Sequence, residues 1–174
     1  MGAIYLIFAA PTLRSILIGA AFALAGLLIR GAAAGYLQKD KVLAVTGPYA
    51  YTRNPLYLGS ALLACGFMVA GYSYVAGAAI GLYFAVFYYA VMRNEEEDLR
   101  VRFGPPFERY ARLVPLFFPR AVNPADLADL RDPNAAGFRW AQFVRNREYQ
   151  AVLGTIAGLG VLYLRMWIRG RYGY

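Results

Sequence analysis

The chain has 174 residues, 60% of them hydrophobic and 16% charged, with a formal net charge of +8. That length fits one domain, and the balance is that of an integral membrane protein whose basic residues flank apolar runs, as on cytoplasmic loops, rather than forming a nucleic-acid surface. With no histidine and a single cysteine, the usual neutral-pH base, a histidine metal site and an internal disulfide are all excluded.

Residues 1–10 are apolar and are interrupted by Pro11. They have neither a basic start nor an A-x-A site, so no removable signal peptide is expected, only a short interfacial or partly inserted segment. A helix from there to Leu37 would measure about 55 Å, too long for one crossing. The first transmembrane helix is therefore expected from about Thr12 to Tyr36. Its small residues, Gly19, Ala20, Ala21, Ala23, Ala25 and Gly26, suit close helix packing. Arg30, near its end, either snorkels to the interface or faces a polar interior.

Gln38 to Asn54 reads as a polar loop carrying Lys39, Asp40, Lys41 and Arg53. A helical hairpin is expected next: one arm from about Pro55 to Ala70, a turn at Gly71-Tyr72-Ser73-Tyr74, and a second arm from about Val75 to Met92. Cys65, inside the first arm, reads as a small core residue. The turn carries tyrosines and no charge, which places it on the translocated side. From Arg93 the second arm continues as a charged helix to residue 103, stopped by Gly104-Pro105-Pro106. A short helix from Phe107 to Leu113 follows, then a loop from Ala121 to Ala136. Gly137 to Tyr149 is expected to be an amphipathic helix lying on the membrane surface. The apolar run Tyr149 to Ile168 can cross once more, leaving Arg165, Arg169 and Arg171 on the translocated side. The expected fold is thus all-α, a polytopic helical membrane protein of about four transmembrane helices in one domain, 1–174.

Two polar segments stand out, Gly47–Tyr57 and Arg93–Tyr110, and the hairpin joins them. Gly47-Pro48 should turn the chain, while Pro55 keeps Asn54 out of helical geometry and suits the first helical turn. Arg53, Asn54 and Tyr57 then sit at a helix N-terminus, which attracts anions. An antiparallel hairpin returns its second arm to the level where the first began, so Tyr57 and Glu95 should be neighbours. Arginine grips carboxylates, a tyrosine face attracts cations, and glutamates hold ammonium groups or hydroxyls. S-adenosylmethionine presents a carboxylate, an ammonium, a sulfonium and a ribose diol; composition alone supports only a polar ligand.

The stretch G-P-Y-A-Y-T-R-N-P-L-Y-L-G, residues 47–59, resembles the G-P-Y-x-x-x-R-H-P-x-Y-x-G motif of isoprenylcysteine carboxyl methyltransferases and phospholipid N-methyltransferases. A second motif of that family, E-E-x-x-L-x-x-x-F-G followed by x-x-[FY]-x-x-Y, is matched by Glu95, Glu96, Leu99, Phe103, Gly104, Phe107 and Tyr110. Val114-Pro115 and Pro119 also fit. The resemblance covers roughly residues 30–120. It implies a membrane methyltransferase using S-adenosylmethionine, with a cytosolic helical segment closing the cofactor site. Cofactor-binding residues would be Gly47, Pro48, Tyr49, Arg53, Asn54, Pro55, Tyr57, Glu95 and Glu96; catalytic ones would be Arg53, Glu96 and Arg93. Asn54 stands where the motif has histidine, so a hydrogen-bonding side chain remains but no imidazole. Arg93 either binds a substrate anion or caps the membrane segment. The Arg145-Asn146-Arg147-Glu148 cluster reads an anionic headgroup or forms a solvated interfacial face. The acceptor would be lipophilic, a prenylated cysteine-like carboxylate or a lipid headgroup amine, reached from the bilayer. An NADPH-dependent membrane reductase related to sterol reductases, or a non-catalytic scaffold, are the competing classes.

Overall fold

The computed structural model describes residues 2–38, 42–133 and 137–172, and all regular structure among them is helical. Lys39, Asp40 and Lys41 of the polar loop lie outside the described residues. A short α1 (Gly2–Phe8) precedes α2 (Leu13–Tyr36). Thr12 and Ser15 open α2 by capping each other: the Ser15 N–H donates to Thr12 Oγ1 at 3.1 Å and the Thr12 N–H to Ser15 Oγ at 2.9 Å. Next come α3 (Pro55–Gly71) and α4 (Tyr74–Phe103), joined by a turn in which Tyr72 takes the left-handed φ of +48°. The first 19 residues of α4, Tyr74 to Met92, are uncharged. The helix then runs on unbroken through Arg93 to Phe103, where Gly104, at φ +56°, ends it.

The centre of the fold is the antiparallel contact of α2 with α3. A Cβ on Gly19 would lie 2.4 Å from the Gly66 carbonyl, and one on Gly26 would lie 2.6 Å from that of Gly59. The two glycine pairs are seven residues apart on each helix, so both backbones stay in contact over two turns. Of the described helices, α2 and the C-terminal helix are long and apolar enough to cross a membrane, and α3 is a shorter apolar helix.

Three short elements close the polar end: α5 (Pro105–Leu113), the 3₁₀ turn Pro124–Leu130 and α6 (Trp140–Arg145). The expected loop at 121–136 thus holds a structured turn, because Leu127 is fully buried with Val45, Phe107, Tyr110 and Val114. The expected surface helix at 137–149 is only six residues long. Phe138 packs edge-on against Tyr36 and occupies the space left by the missing Cβ of Gly35, while Trp140 and Val144 remain exposed. Trp140 stacks on Phe143, with ring centres 4.8 Å apart.

The last helix, α7 (Tyr149–Tyr172), runs antiparallel to α2 and reaches the far end of the molecule. There Leu162 is buried with Ala9, Ile16 and Ala70. Arg165 donates to the carbonyls of Ala9 at 2.8 Å and Ile7 at 3.0 Å, which holds the end of α1. Cys65, expected in the core, is instead exposed on the outer face of α3. Outward faces of membrane helices are themselves apolar, so an apolar neighbourhood in sequence does not mark the interior.

Candidate active site

The residues before α3 are held by pairing with the chain after α5. The Arg53 N–H donates to Pro115 O at 2.9 Å and the Arg120 N–H to Tyr51 O at 3.0 Å. The buried Thr52 donates through Oγ1 to Phe117 O at 2.9 Å, and Asn54 through Nδ2 to Leu116 O at 3.0 Å. Asn54 thus keeps a hydrogen-bonding task, and its partner is backbone. Tyr110 donates to Tyr49 O at 2.7 Å. Burial pushes both phenols well above their usual range, and the Tyr110 hydroxyl ties α5 to the turn at Tyr49. Gly47, at φ +59°, lies against the Tyr36 ring, where a Cβ would be 2.7 Å from its carbons. A left-handed turn with no room for a side chain explains glycine there.

The hairpin brings the two polar segments together as expected. Arg53 Nη1 donates to Glu96 Oε1, 43 positions away, and both side chains are nearly enclosed, at 13% and 9% exposure. Tyr57 donates to Glu95 Oε2 at 2.8 Å, and its ring meets Tyr88 edge-on. Between α3, α4 and the capping segments lies a cavity of about 540 Å³, within the range of small-molecule sites. Tyr49, Arg53, Asn54, Pro55, Tyr57, Glu95 and Glu96 line it; Gly47 and Pro48 do not and shape the turn behind it.

Arg93 is also outside the cavity wall. It is 56% exposed, lies over the Tyr89 ring at 5.6 Å, and donates to Glu96 Oε2 at 3.0 Å. Its place off the cavity wall does not support a catalytic, anion-binding Arg93; the geometry shows instead an exposed cation at the end of the apolar part of α4 that also pairs with Glu96. Arg53 Nε is buried with no hydrogen-bond partner among the described residues. A buried guanidinium donor is costly to leave unsatisfied, so Arg53 Nε is an unused donor on a residue of the cavity wall.

A third charged pair was not foreseen. Arg30 lines the cavity and forms a bidentate ion pair with the buried Glu148, 118 positions on. Arg30 therefore faces a polar interior and does not snorkel, and Glu148 belongs to no solvated face. The one sequence signal was an arginine inside an otherwise apolar helix.

Among the described residues no three His, Cys, Asp or Glu side chains cluster as a group that could hold a metal ion. The family model for phospholipid methyltransferase matches residues 13–105, which take in α2, the hairpin, Arg53, Tyr57, Glu95 and Glu96. Two curated proteins are 40% identical to the chain over 83 residues. They are the cobalt-zinc-cadmium resistance protein CzcN of Cupriavidus metallidurans and the nickel-cobalt-cadmium resistance protein NccN of Alcaligenes xylosoxydans xylosoxydans. In each case the match covers 48% of this chain and 38% of the relative, well under half of the relative's length. No solved structure matches the chain. With more than half of its residues matched, including both arms of the hairpin that enclose the cavity, the chain belongs to the phospholipid methyltransferase family.

Proposed function

We propose that the protein is an integral membrane methyltransferase that uses S-adenosylmethionine and acts on a lipophilic acceptor. The observation that carries this reading is one cavity walled by two pairs, Arg53–Glu96 and Tyr57–Glu95, drawn from opposite arms of a membrane hairpin. Its donor set fits that methyl donor. The partnerless Nε of Arg53, at the N-terminal end of α3, suits a carboxylate. Glu95, Glu96 and Asp98 on the facing wall offer oxygens to an ammonium or to ribose hydroxyls. Bound there, S-adenosylmethionine supplies an activated methyl group on its sulfonium.

The chain's own work is then to bind and align, which provides much of the acceleration in an in-line displacement. Arg53 holds one end of the donor, and Glu96 keeps the guanidinium in place. Glu95 fixes the Tyr57 ring beside the reacting centre, where its face can steady a cation. A carboxylate acceptor needs no base. An amine acceptor arrives neutral or gives its proton to a glutamate, since the chain has no imidazole.

In this reading α2, α3, α4 and α7 all cross the bilayer, and α5 with its neighbours closes the cavity from the cytoplasmic side. The cavity end carries Arg93, Arg100, Arg102, Arg109 and Arg112, whereas the hairpin turn is uncharged. Purified protein incubated with methyl-labelled S-adenosylmethionine and a lipid extract is expected to label a lipid-soluble product. Mass spectrometry of that product names the acceptor and distinguishes an ester from an amine. Folded protein that labels nothing in extracts from several membranes would end the proposal.

A further inference from the structure

An arginine within a membrane helix is expensive and is kept where it is paired or used. The two edges of Arg30 are held unequally. Nε and Nη2 donate to both oxygens of Glu148, at 2.9 and 2.7 Å, an ionic bidentate grip. Nη1 meets neutral oxygens: the Ser60 hydroxyl and, at a long 3.4 Å, the Leu56 carbonyl. Ser60 turns its own hydrogen to Leu56 O at 3.0 Å, which leaves its oxygen to accept. Arg30 and Leu56 belong to the cavity wall, while Glu148 and Ser60 stand behind it.

The grip comes from a specialised corner. Asn146 Nδ2 donates to the carbonyls of Ala34 at 2.9 Å, in the last turn of α2, and of Leu37 at 3.2 Å, the residue that caps it. Arg147 takes a φ of +56°, uncommon for a residue with a side chain. That bend sets Glu148 at the start of α7, where the helix dipole favours a carboxylate, with its side chain on Arg30. All three residues lie beyond the segment that the family model matches. Arg30 is six residues before the end of α2 and level with the first turns of α3. It thus sits on the bilayer side of Arg53.

We propose that the Nη1 end of Arg30 takes an anionic oxygen, carboxylate or phosphate, of a membrane-borne molecule entering the cavity. Glu148 holds the opposite edge and stops the guanidinium from swinging away. An anionic oxygen displaces the two neutral acceptors because charge-assisted hydrogen bonds are roughly twice as strong. The occupant's role as methyl acceptor rests on the function proposed above; its binding does not.

The test uses the full chain in neutral detergent with three fluorescent lipids: a phosphatidic acid, a fatty acid and an uncharged diacylglycerol. Wild type is expected to prefer one or both anionic lipids by about tenfold over diacylglycerol. Arg30→Gln is expected to abolish that preference while binding of the uncharged diacylglycerol stays within about twofold of wild type. Arg30→Lys, which keeps the charge, should retain part of it, and Ser60→Ala, which removes only a neutral competitor, should retain all of it. Which anionic lipid is preferred tells phosphate from carboxylate. Equal binding of all three lipids by wild type, or a preference that survives Arg30→Gln, overturns the assignment. Anionic preference without binding of S-adenosylhomocysteine would remove the methyl-transfer reading and leave Arg30 its role.

Discussion

Arg53→Ala is expected to weaken binding of S-adenosylhomocysteine by roughly 10- to 100-fold, the worth of a charge-assisted hydrogen bond in an enclosed site. The substitution removes the partnerless Nε that a ligand carboxylate would satisfy. It also leaves the nearly enclosed Glu96 with only the exposed Arg93, and a carboxylate stripped of its buried partner destabilises its surroundings. Arg53→Lys should recover little, because an ammonium cannot serve Glu96 and a second oxygen in one plane. Arg93→Ala is the informative contrast. Its guanidinium is solvent-exposed and off the cavity wall, so affinity should fall by no more than about threefold, the scale of an exposed pair. Calorimetric titration in detergent, with a thermal melt of each variant, reads both. Equal losses in the two variants would mean that the Arg53–Glu96 pair has no special place.

The second large effect belongs to the helix contact beneath the site. A valine at position 26 would put its Cβ 2.6 Å from Gly59 O and 2.9 Å from Leu63 N, both backbone atoms that cannot swing aside. Gly26→Val should therefore cost about 3 kcal/mol or more, the upper range for overpacking. It should separate α2 from α3 and carry Arg30 away from Ser60 and Leu56. Gly154→Val and Gly160→Val on α7, where nothing lies within 4 Å, should change stability by less than about 0.5 kcal/mol. Size-exclusion profiles and denaturation midpoints of the three proteins compare them. A well-folded Gly26→Val protein would show that the close α2–α3 approach is dispensable.

What the sequence disclosed is what local chemistry controls. The first long helix begins next to Thr12, Pro55 opens α3, and Gly104 with two prolines ends α4, each near its expected place. Hairpin geometry also brought Tyr57 to Glu95, because the register of two antiparallel arms follows from their lengths. The pairing of Arg30 with Glu148 lay out of reach: the partners are 118 positions apart, and the corner that joins them has no turn-forming glycine at Arg147. Leu127 was hidden for a similar reason, as an apolar side chain in a stretch broken by Asp, Asn and Pro whose partners lie in and just after α5 and in the loop at Val45. Cys65 shows the limit of hydropathy inside a bilayer, where outward and inward faces read alike.

Titration of the wild-type protein with S-adenosylhomocysteine and, separately, with NADPH tests the assignment of the cavity most directly. Saturable binding of S-adenosylhomocysteine at one site per chain, with no heat from NADPH, is the predicted result. Saturable NADPH binding, or a folded protein that takes up neither, would contradict it.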